Sequence, residues 1–230
     1  MLLRGLQKTT LLDFPGKVAC TVFTGGCNFR CPFCHNASLI ENLPNDERLS
    51  EENFFAFLAK RKGLTDGVCI TGGEPLLQKD ILPFVERIKS MGYLVKVDTN
   101  GSYPDALATL ISHSLVDYVA MDIKNAKDAY LQTAGARADI LPAIERSVAL
   151  LKEGRVPYEF RTTVVRGYHD EAEMEKIGAW LGDVPRYFIQ NFSDAGEVLT
   201  SGLSGFTPSE LQKLLAAVVP FIPAARIRGI

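Results

Sequence analysis

The chain has 230 residues, 47% hydrophobic and 23% charged, with a formal net charge of −2. These proportions exclude disorder, collagen and coiled coil, and the small charge argues against nucleic-acid binding by phosphate neutralisation. No apolar run could span a bilayer and the first residues hold no secretory h-region, so no membrane partner and a cytoplasmic location are expected.

The predicted elements alternate between strand and helix. Residues 17–24 form the first strand. Ser50 then caps a helix with Phe54, Phe57, Leu58 and Arg61 at helical spacing and Glu51 and Glu52 near its positive end. Residues 67–71 are the second strand, followed by a helix over 80–91. Residues 93–98 are the third, with a helix over 104–112, and 118–123 the fourth, with a helix over 140–153. Residues 158–165 are the fifth, after which Asp170 and Glu173 signal a capping box for a helix ending near 181. Residues 187–192 are the sixth. Thr207, Pro208 and Glu210 mark a last helix, and 225–228 read as a terminal strand. Stretches 38–48 and 191–205 show no pattern, and loops of that length are often functional.

Strand–helix alternation implies parallel βαβ units. Six units suit an α/β fold built as a partial (β/α)6 TIM-like barrel with parallel strands, one domain over residues 1–230, with a doubly wound sheet as the alternative. In such folds the active site sits at the C-terminal ends of the strands. The unusual polar residues all fall on that rim: the cysteine loop, Gly72-Gly73-Glu74-Pro75, Asp98-Thr99-Asn100, Asp122-Ile123-Lys124, Arg166 to His169, and Gln190-Asn191.

Three of the five cysteines, Cys27, Cys31 and Cys34, crowd into one loop, whereas Cys20 and Cys69 lie in apolar runs and read as core packing. In a reducing compartment the trio reads as a metal or cluster site. Thiolates suit iron–sulfur clusters, and a [4Fe–4S] cubane held by three cysteines keeps one iron open to another ligand. Structural zinc completed by His113 or His169, and a Cys31–Cys34 redox dithiol, are the competing readings. Gly72-Gly73-Glu74 would let a ligand approach the backbone and offers a carboxylate for an ammonium group, though by itself it is an ordinary βα turn. Asp98 could accept from a ribose and Lys124 could pair with a carboxylate, with rim salt bridges as the plain alternative.

Cys-x3-Cys-x2-Cys with Phe33 before the last cysteine, followed by Gly-Gly-Glu-Pro, resembles the radical S-adenosylmethionine (SAM) superfamily. The N-terminal Asp13-Phe14-Pro15-Gly16 and the Cys34-His35-Asn36 end of the loop are similar to anaerobic ribonucleoside-triphosphate reductase activating proteins, glycyl-radical activases related to pyruvate formate-lyase activase. The resemblance implies that Cys27, Cys31 and Cys34 hold a [4Fe–4S] cluster whose open iron binds SAM. Reductive cleavage would then give a 5′-deoxyadenosyl radical that takes hydrogen from a glycine of a partner enzyme. It also implies that Phe33 packs on the adenine, Gly72, Gly73 and Glu74 meet the amino group, Asp98 the ribose and Lys124 the carboxylate. Asp98, Thr99 and Asp122 match a monovalent cation site, Asp13 a residue facing the substrate loop, and Arg161 an arginine of the fifth strand. Phe192 stands where the related activase has a histidine, so Gln190 or Asn191 would take over there. The implied partners are a glycyl radical enzyme, suspected to be anaerobic ribonucleotide reductase, and a flavodoxin or ferredoxin as electron donor. A radical SAM enzyme acting on a small molecule, similar to 7-carboxy-7-deazaguanine synthase, is the alternative.

Overall fold

The β-branched runs pair into one eight-stranded sheet whose spatial order follows the chain. Its strands are β1 (Leu3–Thr10), β2 (Ala19–Thr24), β3 (Gly67–Gly72), β4 (Leu94–Thr99), β5 (Tyr118–Asp122), β6 (Tyr158–Val164), β7 (Tyr187–Asn191) and β8 (Ala225–Arg228). The computed structural model describes residues 1–40, 49–136, 139–194 and 198–229. Strands β2 to β8 run parallel, and β1 lies antiparallel on β2. The predicted parallel α/β arrangement in one open sheet is therefore present. The added strand is β1. Its Leu-Arg-Gly-Leu-Gln-Lys-Thr-Thr sequence is buried only at its two ends, so an edge strand of this kind shows no period-2 signal. Of the two patternless stretches, residues 41–48 and 195–197 lie outside the described residues.

The crossovers carry the predicted helices: α2 (Glu51–Lys60), α3 (Ile81–Ser90), α4 (Pro104–Ser112), α6 (Leu141–Lys152), α7 (Glu171–Leu181) and α8 (Pro208–Val218). Two short ones, α1 (Ala37–Ile40) and α5 (Tyr130–Ala134), span too few residues to show a helical period. The Ser50 hydroxyl accepts the Asn53 amide at 3.1 Å, and Thr207 and Glu210 form a complete capping box. At α7 only half of the expected box forms. Asp170 accepts the Glu173 amide at 2.8 Å, but the Glu173 carboxylate turns to Lys176 at 2.7 Å. An i,i+3 lysine competes for the carboxylate that the box requires.

Alternation within each strand sorts the two faces of the sheet. Val68, Ile70, Val95, Val97, Val119 and Met121 join the main hydrophobic cluster under the helices. Phe54, Phe55 and Phe84 complete one side of it with ring centroids 5.3 to 5.4 Å apart, fixing α2 against α3. Each such ring contributes about 1.5–3 kcal/mol by leaving water. The intervening residues face inward and carry the charges Lys96, Asp98 and Asp122 beside the small Cys69 and Ala120. At the N-terminal end Tyr118 donates to Glu159 at 2.8 Å and Arg228 grips the same carboxylate at 2.6 and 2.9 Å, with Phe14 packed on Tyr118. Burial disfavours a charged Glu159, but Arg228 and Tyr118 outweigh it and hold its pKa below the ordinary range. The sheet thus forms an open trough, plugged at one end and open at the other.

Candidate active site

Beyond Thr24 the chain leaves the sheet and crosses the turn that follows β3. The Glu74 amide donates to Gly26 O at 2.8 Å. A Cβ on Gly73 would sit 1.9 Å from Gly26 O, so only glycine allows the two loops to cross. This crossing sets the cysteine loop above the C-terminal strand ends, where a cavity of about 360 Å³ opens. Cys27, Cys31, Cys34 and Phe33 line it from one side. Gly72, Gly73, Asp98, Thr99, Asp122 and Lys124 line it from the others. Four of the rim segments expected from the sequence, and Gln190-Asn191 as a fifth, therefore converge on this cavity, whereas Arg166 to His169 do not line it.

The cysteine loop is pinned mainly by main-chain bonds. Arg30 N donates to Ala134 O at 3.0 Å, Thr200 N to Pro32 O at 3.0 Å, and Gly26 N to Leu39 O at 2.7 Å. Cys27 Sγ accepts from Phe29 N at 3.4 Å, and the Cys31 thiol donates to Ala134 O at 3.4 Å. Burial pushes the Cys27 thiol up to about 11 and the Cys31 thiol up to about 12. Among the described residues no three Cys, His, Asp or Glu side chains converge tightly enough to hold a single metal ion. Yet the three sulfurs share one cavity, which suits a polynuclear cluster better than tetrahedral zinc. The histidines considered for zinc are engaged elsewhere: His113 bonds Thr109 O at 2.9 Å, and His169 is buried between Val165 N and Lys124 O.

A charged row runs along the inner wall. Lys96 pairs with Asp98, Arg161 bridges Asp98 and Asp122 at 2.9 Å each, and Lys124 meets Asp122 at 3.0 Å. Each of the three cations is paired with at least one of the two carboxylates, and Lys124 is the cation of the row whose charge acts on Cys27 and Cys31. Burial disfavours both carboxylate charges, but Arg161 outweighs it, helped by Lys96 at Asp98 and Lys124 at Asp122, and both pKa values fall below the usual range. Burial likewise disfavours a charged Lys124, but Asp122 holds its pKa up.

Several expected roles are altered by this arrangement. Glu74 does not line the cavity. It is fully buried, accepting from Leu76 N at 3.0 Å, Thr99 Oγ1 at 2.7 Å and Asn100 N at 2.7 Å, so it braces the β4 end instead of facing a ligand. Burial pushes its pKa up to about 7 against those three donors. The residues expected around a monovalent cation are not left open to one, because the Arg161 guanidinium stands between the two carboxylates and the Thr99 hydroxyl is turned to Glu74. Asp13 lies before the N-terminal end of β2, away from the cysteines, and accepts from the Thr21 hydroxyl in mid-strand. Cys20 and Cys69 are both fully buried as expected, although only Cys20 joins the main hydrophobic cluster. Cys69 faces the trough, 3.7 Å from Asp98 and 3.8 Å from Lys96, because its strand position alternates with Val68 and Ile70.

Phe192 is buried outside the cavity and stacks on His35 at 5.2 Å, 17° from parallel. Asn191 is spent on Phe206, donating to its carbonyl at 2.9 Å and accepting its amide at 2.8 Å. Gln190 and its register partner Thr163 line the cavity, and neither side chain has a hydrogen-bond partner among the described residues. Sequence reasoning missed Lys96, Ala134 and Gly135. Only Lys96 left a signal: a lysine inside a β-branched run, two residues before Asp98.

Comparison with known proteins agrees with this geometry. The family model for the radical SAM superfamily matches residues 21–179. A Methanocaldococcus jannaschii protein named "Putative glycyl-radical enzyme activating enzyme" is 35% identical over 198 residues, 83% of this chain and 80% of that one. A Thermococcus kodakarensis protein named "Probable GTP 3′,8-cyclase" is 31% identical over 150 residues, 64% of this chain. The matched region spans about half of that protein, 47%. The crystal structure of QueE from Escherichia coli superposes with a TM-score of 0.61 at 19% identity, covering 98% of this chain and 92% of that one, a likeness of fold.

Proposed function

The chain belongs to the radical SAM superfamily, and from that premise we propose that it activates a glycyl-radical enzyme. The observation that carries this reading is the 35% identity to the Methanocaldococcus jannaschii protein over most of both chains. Cys27, Cys31 and Cys34 would hold a [4Fe–4S] cluster, and the fit rests on three sulfurs lining one cavity together with Lys124. Such a cluster supplies the electron that cleaves SAM reductively and so yields the radical that takes hydrogen from a glycine.

The protein's part is to bind, orient and exclude water. Lys124 and Arg161 offer cations to the SAM carboxylate, Gly72 and Gly73 present main chain to its amino group, and Asp98 accepts from the ribose. Phe33, 4% exposed and flanked by Tyr168 and His169, offers an apolar surface to the adenine. Thr163 and Gln190 remain free for a substrate amide. A glycine has no side chain to recognise, so a side-chain amide that both donates and accepts is suited to its backbone. We place a glycyl radical enzyme, anaerobic ribonucleotide reductase first among candidates, as partner, with flavodoxin or ferredoxin as reductant. Among the described residues no helix is long and apolar enough to cross a membrane.

Anaerobically reconstituted, dithionite-reduced protein should show a [4Fe–4S] EPR signal that shifts on adding SAM. With the partner present, a glycyl-radical doublet should appear. A shifted signal with no doublet on any candidate reductase sinks the activase reading and leaves the small-molecule reading, which the 31% identity to the protein named a GTP 3′,8-cyclase supports. Asp13→Ala should slow glycyl-radical formation by about tenfold while uncoupled SAM cleavage stays near wild type. Equal loss of both activities would assign Asp13 to the fold through Thr21 instead.

A further inference from the structure

His169 is 4% exposed and sits on the turn between β6 and α7. Its two ring nitrogens are both committed. Val165 N–H points at Nδ1 from 3.1 Å, so Nδ1 accepts and carries no proton. The ring proton therefore belongs to Nε2, which donates to Lys124 O at 2.9 Å. The imidazole also stands edge-on to Phe33, centroids 6.3 Å apart at 70°, while Tyr168 packs on the same ring at 5.9 Å and 65°. One neutral side chain thus joins the end of β6, the main chain of Lys124 and the Phe33 ring of the cysteine loop.

We infer that His169 is a positioning residue that fixes Lys124 and Phe33 relative to each other, so that the carboxylate and adenine ends of SAM are read at a set spacing. Burial favours the neutral ring, lowering its pKa against the pull of the Lys124 and Val165 main chains and of Glu173 and Asp170. An imidazolium would turn a second N–H toward Val165 N–H and break the link. The inference rests on the roles given above to Lys124 and Phe33, and it is independent of which substrate receives the radical.

The first readout needs no cofactor: 15N–1H NMR of the apo imidazole should show the Nε2–H tautomer, and an Nδ1–H tautomer overturns the inference. The second is SAM affinity by calorimetry on reconstituted protein. His169→Phe keeps packing on Phe33 but loses both hydrogen bonds, and should weaken SAM about tenfold at unchanged iron content. His169→Gln keeps a donor for Lys124 O and should stay within about threefold of wild type. Wild-type affinity in a folded His169→Phe overturns the inference. If that variant does not fold, His169→Asn, which keeps only the acceptor for Val165, takes its place and must bind more weakly than His169→Gln. Lys124→Met separates the two failures. Unchanged affinity there removes the Lys124 role, whereas a loss there with none at His169 removes this inference alone.

Discussion

Arg161→Met is expected to lower unfolding stability by about 2 kcal/mol and SAM affinity by about tenfold. The guanidinium bonds Asp98 and Asp122 at 2.9 Å, with the arginine and Asp98 14% exposed and Asp122 32% exposed. Breaking a buried pair costs about 3–5 kcal/mol because a charge is left uncompensated. Here Lys96 still serves Asp98, Lys124 still serves Asp122, and water reaches the row, so a smaller figure applies. For a chain of this size that is a fall of roughly 4–8 °C in the unfolding midpoint. The pH dependence has a definite sign. Both carboxylates have depressed pKa values in the folded state. Their stabilisation is therefore in place above about pH 4, the unfolded value, and is lost as pH falls through the folded value. Wild type and variant should differ most near neutrality and converge in acid. Arg161→Lys should recover part of both losses, since it restores the charge without the bridging fork. A variant with unchanged midpoint and unchanged SAM affinity would show that the two lysines suffice.

The contrast between Arg161 and Glu74 explains what the sequence made legible. The strands, the long helices and the rim that bears the motifs follow from period and from strand-end position, which are local properties. Cys27, Cys31 and Cys34 announce themselves by spacing. Direction of approach is not local. Glu74 sits in a motif that suggests ligand contact, yet three donors from its own 3-10 turn and the β4 end claim its oxygens. Cys69 reads as core by its neighbours, but a period of two sends it to the opposite face. Arg161 can be seen as a strand arginine, whereas its bridging of two strand-end carboxylates depends on the β4–β5–β6 order. His169 is one of three histidines in the sequence, and its significance lies wholly in what it touches.

Gly135→Ala should produce the second large effect, and it should fall on cluster assembly more than on the fold. Gly135 ends α5 in the left-handed region, φ +59° and ψ +33°. Alanine there costs about 1–2 kcal/mol from backbone conformation alone. The larger problem is space. An added Cβ would lie 2.2 Å from Arg30 O and 2.6 Å from Arg30 C, and both are main-chain atoms that cannot swing aside. The collision falls where Arg30 N donates to Ala134 O, between Cys27 and Cys31, the two proposed cluster ligands that flank it. Either α5 retreats or the cysteine loop does, and in both cases Arg30 N loses its acceptor next to Cys31. Reconstituted Gly135→Ala should retain less than about half of the wild-type iron, with a weakened EPR signal, while its apo unfolding midpoint drops by about 4–8 °C and the protein still folds. Full iron loading with a wild-type signal would mean that the loop can shift without cost, and that the Arg30–Ala134 main-chain bond is not what holds the loop beside Cys31.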